Sequence, residues 1–131
     1  MINVFLVDDH ELVRTGIRRI IEDVRGMNVA GEAESGEDAV KWCRSNHADV
    51  ILMDMNMPVM NGIESAKKIK AIRDVPIIGL TATTEEEMIK TFYEAGISDH
   101  ITKPFSKMDL LRGIAKNIKS FQAIFNFIAP K

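Results

Sequence analysis

The sequence contains one cysteine, Cys43, so no disulfide can form within the chain and the fold must hold by burial alone. It has no uninterrupted apolar stretch approaching the roughly 18 residues that a membrane-spanning helix requires. Its N-terminus opens on a strand-like apolar run instead of the basic region and cleavage site of a leader. An excess of charge of one sign is also missing. Seventeen Lys+Arg stand against nineteen Asp+Glu, a net charge of -2, which gives no general pull toward nucleic acid or an anionic membrane. These absences argue against nucleic-acid binding by this segment, against membrane insertion and against an oxidising compartment, and lead to the expectation of a cytoplasmic protein. What is present is ordinary globular composition, 46% hydrophobic and 27% charged over 131 residues, enough for one core.

Five short apolar, β-rich runs occur at Ile2 to Val7, Met27 to Ala30, Val50 to Met53, Pro76 to Leu80 and Ile97 to Thr102. Helical periodicity fills the intervals. Val13, Ile17, Ile20, Ile21 and Val24 form one stripe with Gly26 as a stop, and Ile63, Ala66, Ile69 and Ile72 recur every three residues after the Asn61-Gly62 turn. Ser35 with Asp38, Thr84 with Glu87, and Ser106 with Asp109 match the capping pattern of a hydroxyl three residues before an acid. Strict alternation of strand and helix predicts an α/β fold, doubly wound around a parallel sheet. No linker or repeat divides residues 1–120, which form one domain. Residues 121–131, with Phe121 and Phe125, read as an aromatic extension of the last helix, about twenty residues long in all, or as the start of a linker.

In open parallel sheets ligands sit beyond the carboxyl ends of the strands, at the point where strand order reverses. There the first strand delivers Asp8 and Asp9, the third Asp54, the fourth Thr81 and the fifth Lys103. With strand order 2-1-3-4-5 the first and third strands are neighbours, so three carboxylates converge. They need a cation, and an all-oxygen acidic site suits Mg²⁺, with Mn²⁺ as its substitute. Asp54 could then attack a phosphoryl phosphorus to give an acyl phosphate, with Lys103 neutralising charge on the equatorial oxygens. Taken singly, each residue has a structural reading: Asp8 or Asp9 as a helix cap, Asp54 as a loop residue, Lys103 as a solvated cation, Thr81 as the end of a strand. Their joint placement at four strand ends favours the site.

The blocks Leu6-Val7-Asp8-Asp9-His10, Met53-Asp54-Met55-Asn56-Met57-Pro58, Asn61-Gly62, Leu80-Thr81-Ala82 and Lys103-Pro104-Phe105 together resemble the motifs of response-regulator receiver domains of two-component systems. The resemblance covers about the first 120 residues and implies a flavodoxin-like (βα)5 domain. By matching position it implies Asp54 as the phosphorylated residue and Asp8, Asp9, Asp54 and the backbone carbonyl of Asn56 as metal ligands. It further implies Thr81, Ala82 and Lys103 as the phosphate-binding and catalytic groups, and Asn56 and Thr83 as positions that tune hydrolysis. The Lys103-Pro104 bond is expected to be cis. Thr81 would act as a switch together with the residue three before Lys103. That residue is His100, where the family more often has tyrosine or phenylalanine. His10 and His47 read as surface residues.

The function implied is that of a phosphorelay receiver, charged by a histidine kinase or histidine phosphotransfer protein, that switches an α4-β5-α5 face toward an output partner. The segment up to about residue 47 resembles regulators carrying a helix-turn-helix domain, whereas Pro76 to Phe105 is closer to receivers of hybrid histidine kinases. A C-terminal DNA-binding domain outside this chain, a stand-alone receiver, a chimera and a homodimer are all compatible with that. A dehalogenase-type phosphohydrolase also pairs Asp with Mg²⁺, but it needs an acid two residues after the nucleophile, and Asn56 stands there. A module that has lost phosphorylation would lack an acid, Thr or Lys, and none is lacking. The methionines Met53, Met55, Met57 and Met60 read as packing. Ala39, Val40 and Cys43 should face the sheet with Trp42 left at an edge.

Overall fold

The computed structural model describes residues 1–57 and 60–118. Five strands, β1 (Ile2–Val7), β2 (Met27–Ala33), β3 (Val50–Asp54), β4 (Ile77–Thr81) and β5 (Asp99–Thr102), alternate with five helices. The helices are α1 (Glu11–Glu22), α2 (Gly36–Ser45), α3 (Gly62–Ile72), α4 (Glu86–Glu94) and α5 (Lys107–Asn117). All strand pairs are parallel, in the order β2-β1-β3-β4-β5. This is the doubly wound α/β arrangement the alternation predicts, with the order reversing between β1 and β3.

The two-residue period of a strand sends alternate side chains to opposite faces. Phe5, Val7, Ile51, Met53 and Ile77 pack with residues of α2, α3 and α4, while Val4, Leu6, Val50, Leu52, Ile78 and Leu80 pack with α1 and α5. Both layers are sealed, which is why the central strands read as unbroken apolar runs.

Several local expectations need correction. Ile72 at the end of α3 is 40% exposed, although Ala66 and Ile69 are fully buried. Residues spaced by three fall about 60° short of a full turn at each step, so the fourth member rotates off the buried face. Trp42 stands half-buried at the margin of the core, where its ring stacks on Phe5 at 4.0 Å between centroids. Gly31 makes that possible, because a Cβ there would lie 2.6 Å from Trp42 Nε1. Gly26, at φ +87°, turns the chain into β2 several residues beyond the end of α1. Thr84 does not cap α4. The N-cap is Glu85, and the Thr83 hydroxyl takes the Glu85 N–H at 3.2 Å.

α5 closes at Asn117, since Ile118 is extended at φ -107° and ψ 113°, rather than running on for twenty residues. Phe121 and Phe125 lie outside the described residues. At its start Ser106 accepts the Asp109 N–H at 3.0 Å and Asp109 accepts the Ser106 N–H at 2.9 Å, a complete capping box. Ser106→Ala should therefore cost about 1 kcal/mol, read from the urea midpoint. The bonds from Ser106 hold the Asp109 carboxyl below its ordinary value. Its contribution is thus full above the usual carboxylate range and lost as pH falls through the depressed value, and because Ser106→Ala keeps the backbone N–H that Asp109 accepts, most of that pH dependence should remain in the variant.

Candidate functional site

Register decides which strand ends meet. Val7 pairs with Met53, so Asp8 and Asp54 leave neighbouring strands side by side. Asp54 pairs with Leu80 and Thr81 with Thr102, which sets Thr81 and then Lys103 along the same edge. Asp8, Asp54 and Thr81 are buried, at 2%, 2% and 4% exposure. Lys103 Nζ lies 3.2 Å from Asp54 Oδ1, which also accepts the Asn56 N–H at 3.0 Å. Both contacts fall on Oδ1, leaving Oδ2 free of them. The Lys103-Pro104 peptide is cis.

The loop after β1 is fixed from three sides. The Asp8 N–H donates to Ala33 O at 3.1 Å, the His10 N–H donates to Asp8 Oδ1 at 2.8 Å, and the Arg14 guanidinium donates to the Asp8 carbonyl. Arg14 is itself held by Glu32 at 3.2 Å. Neither Asp8 nor Asp9 serves as the N-cap of α1; that position is His10, without a side-chain cap. On the other side, Lys103 N–H donates to Thr81 O at 2.7 Å and Thr83 N–H donates to the Thr81 hydroxyl at 3.1 Å. A cleft of about 500 Å³ adjoins this side, its lining including Asn56, Thr81, Ala82 and Thr83 together with Met88 and Phe92 of α4.

The residues fit a hard divalent cation. Asp8, Asp9, His10 and Asp54 each bring one donor atom within 4.8 Å of the others. Asp8 Oδ2 and Asp9 Oδ1 are buried without any hydrogen-bond partner among the described residues. A buried carboxylate oxygen left unpaired is costly, and a divalent ion with its waters is the usual relief.

The structure brings together Asp8, Asp9, Asp54 and Lys103, with the Asn56 backbone bonded to Asp54 and with Thr81 and Ala82 on the adjoining cleft. His100 stands apart. Its Nδ1 is 2.8 Å from the Tyr93 hydroxyl of α4, the rings meet edge to face at 5.6 Å, and its N–H donates to Asp99 at 2.9 Å. Burial, and then the Asp99 carboxylate beside it, push the Tyr93 hydroxyl above the usual phenol range. Cys43 is buried and its thiol is likewise pushed up by desolvation, which keeps it unreactive. Arg14 and His10 also stand beside the acids, and His10 is exposed, as expected of a surface residue. Arg14 carries no motif signal. His10 does carry one, its place directly after the acid pair.

A doubly wound five-stranded sheet with an acidic cleft, an opposed lysine and a threonine at the strand ends defines a phosphoacceptor signalling domain. The chain belongs to the response regulator receiver domain family, whose model matches residues 4–115. It is 51% identical over 115 residues to the response regulator UvrY of Escherichia coli K12, covering 87% of this chain and 53% of that protein. The chain therefore spans about half the length of that relative. The receiver domain of the sensor histidine kinase PA1611 from Pseudomonas aeruginosa, solved with magnesium in its active-site cleft, superposes with a TM-score of 0.80 at 30% identity. That match covers 90% of this chain and 98% of that one. RcsB of Salmonella enterica, solved on promoter DNA with a phosphomimetic, gives a TM-score of 0.79 at 28% identity over 92% of this chain and 70% of that one. Receiver domains accept a phosphoryl group on an aspartate and bind Mg²⁺ at an acidic pocket; they are signalling proteins, distinct from dehalogenase-type hydrolases. Among the described residues no helix is long and apolar enough to cross a membrane.

Proposed function

We propose that Asp54 is the phosphoacceptor, that Asp8, Asp9, Asp54 and the Asn56 carbonyl hold Mg²⁺ or Mn²⁺, and that Thr81, Ala82 and Lys103 bind the phosphoryl oxygens. One observation carries the reading: Lys103 and the Asn56 N–H both engage Asp54 Oδ1, so Oδ2 is the oxygen presented for attack. Oδ2 attacks the phosphorus of a phosphohistidine on a histidine kinase or phosphotransfer protein. The new O–P bond forms as the N–P bond breaks, and the electron pair returns to the departing imidazole nitrogen. Bound Mg²⁺ supplies charge neutralisation at the phosphoryl oxygens. The Lys103 ammonium supplies the rest from a position already set in the unphosphorylated protein.

The readout follows from Thr81. Its hydroxyl can donate to the new phosphoryl oxygens while keeping its acceptor role toward Thr83, drawing the β4-α4 loop into the cleft. α4 would then move against β5 through the Tyr93–His100 contact, so His100 takes the part the family more often gives to tyrosine or phenylalanine. The partners in keeping with this reading are a histidine kinase or phosphotransfer protein as donor and, on the output side, a C-terminal DNA-binding domain or a homodimer; RcsB was solved on promoter DNA, and UvrY is about twice the length matched here. The setting is the cytoplasm. Residues 1–120 form the receiver domain and 121–131 its extension or linker. To test the assignment, the protein is charged with a small acyl phosphate and Mg²⁺, reduced with borohydride and digested. The reduced residue should map to position 54, and a label on any other acid would sink the proposal.

A further inference from the structure

The acid pair has a third member that the receiver reading leaves unused. His10 Nδ1 lies 3.2 Å from Asp8 Oδ1 and 3.0 Å from Asp9 Oδ1. A ring nitrogen has one N–H or one lone pair, so it can satisfy one of these oxygens. Nδ1 is hydrogen-bonded to Asp8 Oδ1 and in close contact with Asp9 Oδ1, which is buried with no hydrogen bond among the described residues. Asp8, 2% exposed, also carries a buried Oδ2 with no hydrogen bond among the described residues. A metal ion differs from a proton in accepting all of these lone pairs at once. Donors about 2.1 Å from an octahedral ion sit about 3.0 Å apart when adjacent, the spacing His10 keeps from both acids. The His10 side chain is 66% exposed and its backbone N–H is tied to Asp8, so the ring is held at the site without being packed into the core.

We infer that His10 is a ligand of the metal site, giving this receiver an imidazole donor that favours borderline first-row cations such as Co²⁺, Ni²⁺ or Zn²⁺ over Mg²⁺. The inference rests on the proposed acidic metal site and adds its selectivity. Carboxylate and carbonyl donors suit Mg²⁺, whereas imidazole strengthens binding along the Mn²⁺-to-Cu²⁺ order. A cell rich in such ions would thus hold the site in a form with one coordination position fewer for a phosphoryl oxygen.

The test is direct titration of the 131-residue protein with Co²⁺ and separately with Mg²⁺, for wild type and His10→Ala. The variant should bind Co²⁺ weaker on the order of tenfold, with a change of less than about twofold for Mg²⁺. In wild type the carbon-bound ring protons of His10 should show large hyperfine shifts on Co²⁺ addition, a readout that does not depend on the variant folding. Equal Co²⁺ affinity in both proteins, or unshifted His10 protons in saturated wild type, overturns the inference while leaving the Mg²⁺ site intact. Failure of wild type to bind either ion overturns the acidic site itself.

Discussion

Asp54→Asn protein incubated with Mg²⁺ and a small acyl phosphate should gain no mass, where wild type gains one phosphoryl group. An amide oxygen at this position keeps the shape of the site but has lost the anionic nucleophile, and among the described residues Asp54 is the acid that Lys103 contacts. The loss should be complete rather than partial. The same substitution should leave the melting temperature in chelator at or above that of wild type. Asp8 and Asp54 are both almost fully buried and stand on neighbouring strands with Asp9 close by, so removing one carboxylate relieves like-charge repulsion. Lys103 loses its partner, but its side chain is 32% exposed and can be rehydrated. Wild type gains stability with Mg²⁺ by mass action, and the variant, with one anionic ligand replaced by a neutral one, should gain less. A melting temperature that falls sharply in chelator would mean that Asp54 is a structural ion-pair residue.

That balance explains what could be read from the sequence. Asp8, Asp54, Thr81 and Lys103 were legible because each follows a short apolar run, and a parallel sheet brings the ends of such runs to one edge whatever the details of packing. Register was not legible, yet it is what makes Asp8 the direct neighbour of Asp54. His10 reads rightly as exposed, but the approach of its ring to both acids is a matter of local geometry and follows no periodic pattern. Helical spacing puts Trp42 off the buried stripe, where it is half-buried, and only the structure shows that Gly31 leaves room for its ring to reach Phe5. Helix ends depended on competition between neighbours, as where Thr83 rather than Thr84 supplies the hydroxyl before α4.

Lys103→Met should separate binding of the cation from transfer of the phosphoryl group. Methionine keeps length and flexibility and removes the charge, so the strand end and Asp54 should stay in place. Lys103 Nζ is 3.2 Å from Asp54 Oδ1, close enough to oppose a divalent cation in the same cleft and to neutralise charge that develops on the phosphoryl oxygens. Its removal should raise Mg²⁺ affinity while lowering the phosphorylation rate on the order of 10²- to 10³-fold, the loss typical of one preorganised charge-stabilising donor. Titration with Mg²⁺ and the rate of mass gain from the acyl phosphate measure the two effects on one sample. A variant that binds Mg²⁺ more tightly yet reacts at the wild-type rate would show that the lysine merely balances the apo carboxylates. With tighter binding and slower transfer, the lysine acts on the transferring group, and Asp54 Oδ1 is the anchor that holds it ready.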